Sequence, residues 1–147
     1  MYKGDIMIEV KIVCENEYLP VYKTDGASGA DLKSVERLDF KPFERKLVNT
    51  GIRVSVPKGY EAQVRARSGL SAKKGLTLVN AVGTVDSDYT GIVYASMINL
   101  SDEIQTIEVG ERIAQLVITP VEQASFVRVK TLDETERGEG GFGSTGV

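Results

Sequence analysis

The chain has 147 residues, 41% hydrophobic and 27% charged, with a formal net charge of −3, which is enough for one domain with a real core but no bulk electrostatic case for nucleic acid. No apolar run approaches the ~20 residues of a membrane-spanning helix, and a small polyanion would need a local arginine cluster. The absence of histidine removes the commonest general base and transition-metal ligand, and the single cysteine, Cys14, has no internal disulfide partner, which fits a small core residue in a reducing compartment.

The first ten residues, MYKGDIMIEV, place Asp5 and Glu9 among apolar side chains. They lack a secretory h-region, so an intracellular, cytoplasmic location is expected. From Ile6 to Cys14 apolar residues alternate with Met7, Glu9, Lys11 and Val13. The same period of two returns at Ile52–Val56 and Tyr60–Arg67. Such alternation predicts half-buried strands. Pro57-Lys58-Gly59 reads as a tight turn between two of them. One short stretch, Ser68 to Lys74, is predicted helical. Further strands are expected within Leu76–Asn80, Ile92–Leu100, Gln105–Val109, Ile113–Thr119 and Ser125–Lys130, with turns at Asp86–Asp88, Ser101-Asp102, Gly110 and Pro120. Many short strands separated by turn signals predict an all-β barrel or jelly roll. No linker, repeat or second composition zone precedes the tail. The expected organisation is a β domain over 1–136 and a glycine-rich arm over 137–147.

Four stretches could carry chemistry. Arg67-Ser68-Gly69 stands where a strand gives way to the predicted helix. It reads as an anion site or as a surface arginine followed by an N-cap serine. Val82–Gly91 reads as a hairpin holding Asp86 and Asp88. Each aspartate could be a turn residue, a metal ligand or, without histidine, the base that activates water. Asp31 begins a strand, either as a solvated edge charge or as a buried acid paired with an arginine. Asn99-Leu100-Ser101 matches a glycosylation acceptor by chance. The tail RGEGGFGSTGV supplies Arg137, Phe142, Ser144 and Thr145 on a glycine background. It reads as a frayed end or as a segment that closes over a ligand, with Arg on phosphate and Phe on a flat ring. Gly138–Gly143 also fits GxGxxG, but a dinucleotide turn needs a strand before it and a full helix after it, and only four residues follow Gly143.

Taken together, five segments in order resemble the motifs of the homotrimeric dUTP diphosphatase (dUTPase) family: ASGADLKS (27–34), ARSGLS (66–71), NAVGTVDSDYTG (80–91), GERIAQLV (110–117) and RGEGGFGSTG (137–146). The resemblance implies a distorted jelly-roll trimer with active sites at subunit interfaces. It implies hydrolysis of dUTP to dUMP and pyrophosphate with Mg2+, which would limit uracil incorporation into DNA and supply dUMP for thymidylate synthesis. By resemblance, Asp86 matches the water-activating aspartate and Tyr89 the ring that excludes a 2′-hydroxyl. Asn80, with the backbone at Gly83 and Val85, matches the uracil-reading element. Arg67, Ser68, Gly69 and Gln115 match phosphate contacts, and Asp31 the aspartate that holds magnesium through water. Arg137, Gly143, Ser144 and Thr145 match the arm's ligands, and Phe142 its stacking ring. Thr90 stands where the family often has a larger polar residue. Neither nucleic acid nor membrane is an expected partner. Two other readings are a dCTP deaminase of similar fold and a non-enzymatic trimeric module that binds dUTP.

Overall fold

Period-two patterning becomes ladders in the computed structural model, which describes Met7–Gly146. Ten strands are formed among these residues: β1 (Lys11–Val13), β2 (Ala30–Lys33), β3 (Leu38–Phe40), β4 (Arg45–Ser55), β5 (Tyr60–Ala66), β6 (Leu76–Leu78), β7 (Val82–Val85), β8 (Ile92–Asn99), β9 (Gln105–Ile107) and β10 (Arg112–Pro120). One four-stranded sheet runs β1-β4-β8-β6, a second runs β2-β10-β5-β7, and β3 pairs with β9. Every ladder is antiparallel. The architecture is the expected all-β, jelly-roll-like fold. No helix of the described residues is long and apolar enough to cross a membrane.

The core is where the inward faces of the two larger sheets meet. Val48, Ile52 and Val54 of β4 and Val93, Ala95 and Met97 of β8 pack with Leu32, Ala62, Val64, Ala114 and Leu116 of the other sheet. Thr50 falls on the same inward phase of β4, and its hydroxyl donates to the Val93 carbonyl at 2.5 Å, which satisfies it. The predicted helix forms as α1 (Ser68–Lys74). It stops at Gly75, whose φ of +69° is the left-handed cap and whose Cβ, had it one, would sit 2.9 Å from the Ser101 nitrogen.

Several expectations need correction. Ser125–Lys130 is not a strand: Phe126 is 96% and Val127 77% exposed. A strand exists only by pairing, and no described strand of this chain pairs with that alternation. The first alternating run shortens to β1, because only Lys11–Val13 meets β4; Ile6, like Val147 at the other end, lies outside the described residues. Val82–Gly91 does turn at Asp86–Tyr89, but β7 joins β5 while β8 joins β4 and β6, so its limbs belong to different sheets rather than to a hairpin. Strand β3 and the first half of β4 carried no clean alternation, and the sequence reading passed over them.

A buried knot ties the far end of β8. Asn99 is fully buried, which closes it to glycosylation. Its Nδ2 donates to the carbonyls of Phe40 (3.0 Å) and Glu103 (2.7 Å), and its Oδ1 accepts from the Ser101 N–H (2.9 Å) and hydroxyl (2.7 Å). The Ser71 hydroxyl, by contrast, is buried with no hydrogen-bond partner. Removing a partner from a satisfied network strands the remaining groups, whereas removing an unpaired hydroxyl strands nothing. Asn99→Ala is therefore expected to lose about 3 kcal/mol in denaturant unfolding. Ser71→Ala should be neutral or slightly stabilising in the same measurement.

Candidate active site

Strand β10 assembles the first cluster. It is paired on both edges, and its register sets Gln115 opposite Asp31 of β2 and Arg65 of β5. Paired residues share a sheet face, so Asp31 and Gln115 stand together on the outer face. Arg67 enters from the next position past the end of β5. The Asp31 side chain is only 11% exposed and carries two arginines, with Oδ1 3.5 Å from Arg67 Nε and Oδ2 3.1 Å from Arg112 Nη1. Arg67 Nη1 also donates to the Arg112 carbonyl at 3.1 Å. Of the two readings of Asp31, the structure selects the buried acid paired with arginine. Gln115 lies against buried Gly29, where a Cβ would come within 2.6 Å of Oε1. Gly29 thus leaves the space that the amide occupies.

The start of α1 differs from one expectation. The N-cap is Arg67, in extended conformation, and no side chain caps the helix; Ser68 is its first residue rather than its cap. Ser68 and Gly69 are exposed, and first-turn N–H groups have no intrahelical acceptor. Arginine, hydroxyl and N–H groups thus converge at one edge of the second sheet, an arrangement suited to phosphate oxygens.

Asp86 belongs to a second cluster. It follows Val85, which pairs with Ala62, so Asp86 stands near Glu61 at the opposite end of β5. Asp86, Ser87 and Asp88 line a cleft of about 810 Å3 together with Lys58, Tyr60 and Glu61. The Tyr89 N–H donates to the Asp86 carbonyl at 3.1 Å, which tightens the turn. The Tyr89 hydroxyl folds back over Gly91 and donates to the Ile92 carbonyl at 2.7 Å, leaving the ring half exposed. Arg53 Nε donates to the Thr90 carbonyl at 2.8 Å and holds the same turn from β4. Asn80 is exposed, with Nδ2 over Gly83 on the β7 backbone.

The two clusters do not meet within one chain. Arg67 lies six positions beyond Glu61, or ~20 Å along an extended strand. Catalytic contact needs about 3 Å. The tail joins neither cluster. Phe142 is fully exposed, and Arg137, Gly143, Ser144 and Thr145 are exposed. The hydrogen bonds of the tail stay within Thr135–Gly146, as with Arg137 Nε to the Gly140 carbonyl at 2.8 Å. Sequence reasoning missed Arg112, Gly29 and Arg53. Arg112 lay inside the segment that singled out Gln115, but nothing in a linear pattern shows that it turns onto Asp31.

No group of three or more His, Cys, Asp or Glu that could cage a metal occurs among the described residues. Asp31 is the one carboxylate of the first cluster and already faces two arginines, so a divalent ion there would depend on substrate phosphates and waters, as Mg2+ does, with the carboxylate reached through water.

The dUTPase family model matches residues 15–146. A deoxyuridine 5′-triphosphate nucleotidohydrolase of Hydrogenobaculum is 53% identical over 139 residues, covering 94% of this chain and 96% of the relative. One from Finegoldia magna is 50% identical over 142 residues, covering 95% and 99%. Among solved structures, a variant of the Staphylococcus bacteriophage 80alpha dUTPase with dUpNHpp superposes with a TM-score of 0.86 at 28% identity, over 95% of this chain and 99% of that one. The dUTPase of Streptococcus mutans gives 0.73 at 30% identity, over 80% and 98%. With the family model covering all but the ends and relatives half identical along nearly their whole length, this chain belongs to the dUTPase family.

Proposed function

We propose that this chain hydrolyses dUTP to dUMP and pyrophosphate, with water attacking the α-phosphorus. The observation that carries the reading is the near-full-length identity, about one residue in two, to nucleotidohydrolases of that specificity. The site chemistry agrees. Asp86 takes the proton of the attacking water while the oxygen bonds to the α-phosphorus and pyrophosphate departs on the far side. Arg67, Gln115 and the N–H groups of Ser68 and Gly69 hold the phosphate oxygens in line for that displacement. Asn80 and the backbone at Gly83 and Val85 read the uracil. The Tyr89 ring stands under the deoxyribose, where a 2′-hydroxyl would clash. Mg2+, when bound with the triphosphate, would neutralise its oxygens, and Asp31 is the residue that would hold the ion through water.

The assembly proposed is a homotrimer whose sites are shared between protomers. The ~20 Å between Asp86 and Arg67 along β5 supports it, as does the exposed apolar run Phe126, Val127, Val129 and Leu132, which monomers rarely leave in solvent. Residues 7–120 hold every strand among the described residues. The proposed division is therefore a catalytic domain over 1–136 and an arm over 137–147 that closes on a loaded site, with Arg137, Gly143, Ser144 and Thr145 meeting phosphates and Phe142 stacking on uracil. The proposed compartment is the cytoplasm, and the product feeds thymidylate synthesis while uracil is kept out of DNA.

A pyrophosphate-release assay across dUTP, dTTP, dCTP and UTP tests the reading, with turnover expected for dUTP alone. In the same assay Asp86→Asn should lower kcat by about 10²- to 10⁴-fold, the share of a positioned base, with KM little changed. A loss of only a few-fold would remove Asp86 from that role. Truncation after Glu136 should leave the melting temperature within about 2 °C, because an exposed segment buries no core, while hydrolysis collapses. Unaltered hydrolysis would show that the arm is inert.

A further inference from the structure

Arg112 sits at an irregularity of β10. Lys33 of β2 faces Arg112 and Leu32 faces Ala114, so Ile113 is an extra residue opposite one gap in the partner strand. Such a bulge reverses the alternation on one side of it. Its signature is present: Ile113 and Ala114 are consecutive and both buried, at 1% and 0% exposure. Were the strand to alternate regularly through Ile113, Arg112 would share the inward phase of Ala114. With the bulge, Arg112 pairs with Lys33 and turns to the outer face, where Asp31 and Gln115 stand.

We infer that Arg112 is a positioning residue for the phosphate cluster, holding Asp31 with its side chain and Arg67 with its backbone carbonyl. The inference rests on the proposed reading of the Asp31–Arg67 cluster as the phosphate site. The contacts close a ring: Arg112 Nη1 on Asp31 Oδ2 at 3.1 Å, Asp31 Oδ1 near Arg67 Nε at 3.5 Å, and Arg67 Nη1 on the Arg112 carbonyl at 3.1 Å. Arg67 is thereby held on two nitrogens, and its Nη2 makes no hydrogen bond among the described residues. That edge is the one left for a ligand. A guanidinium and a carboxylate prefer a two-pronged fork. Once Arg112 is gone, Arg67 is the only cation on Asp31 and is drawn into that fork, away from phosphate. The cluster's formal charge also falls from +1, for two arginines and one aspartate, to zero. Arg112 thus sets affinity for the triphosphate and does not touch the reacting atoms.

The test is calorimetric binding of a non-hydrolysable α,β-imido analogue of dUTP to the full-length protein in EDTA, where magnesium plays no part. Arg112→Ala should weaken binding about tenfold, less than the loss of a directly paired buried charge, because Asp31 keeps Arg67 as a partner. Arg112→Lys, which keeps the cation, should stay within about threefold of wild type. Asp31→Asn added to Arg112→Ala should restore most of the lost affinity, because no carboxylate remains to capture Arg67. A residue that only stabilised the fold would lower the melting temperature without that recovery. Wild-type affinity in Arg112→Ala, with Arg67→Ala clearly weakened, overturns the inference and leaves the phosphate-site reading standing. Wild-type affinity in both removes the phosphate-site reading and the inference with it. Should Arg112→Ala not fold, Arg112→Lys and the double variant decide: a double variant no tighter than a tenfold-weakened site overturns the inference.

Discussion

The double pairing of strand β10 is the constraint on which the rest depends. A strand bonded on both edges cannot slip on one side without breaking the other, and a slip of one residue would exchange its faces. That register sets Gln115 against Asp31 and Arg65, buries Leu116, and delivers Asp31 to two arginines. Core and site are therefore specified by the same hydrogen bonds. The bulge at Ile113 is the one departure, and it falls where an arginine had to be turned outward.

The same geometry separates what a catalyst must bring together. β5 runs from the Asp86 cleft at one end to Arg67 at the other, and its length is fixed by the ladders on either side. No side-chain rearrangement spans ~20 Å of strand. The tail, with its local turns and exposed Phe142, has nothing to rest on within its own chain. A proposed site assembled from several protomers and closed by the arm accounts for both facts with one arrangement, and it places the exposed Phe126–Leu132 run where apolar surface has a use.

Legibility in the sequence tracked how local each feature is. α1 and the strands β5, β8 and β10 were readable because alternation and turn residues lie next to one another in the chain. Ser125–Lys130 alternates as well as β1 does, but pairing depends on what lies alongside, and that information is not in the segment itself. β3 failed for the opposite reason: three residues centred on Asp39 show too little pattern. At the site, Asp31, Arg67, Gln115 and Asp86 were picked out as types in motifs. That Asp31 meets Arg67 and pairs in register with Gln115, while Asp86 stands apart, is a matter of register. Gly29 and Arg112 stayed hidden because one acts by the side chain it lacks and the other by a bulge.

The central claim is that Asp86 of one protomer serves the phosphate cluster of another, and subunit mixing tests it most directly. Asp86→Asn and Arg67→Ala proteins, each inactive alone, would be unfolded together, refolded and assayed with dUTP. A shared site predicts recovery of about a quarter of wild-type activity, the statistical fraction of sites in a randomly mixed trimer that draw each intact residue from a different chain. Mixed trimers that form and remain as inactive as their parents would contradict the account.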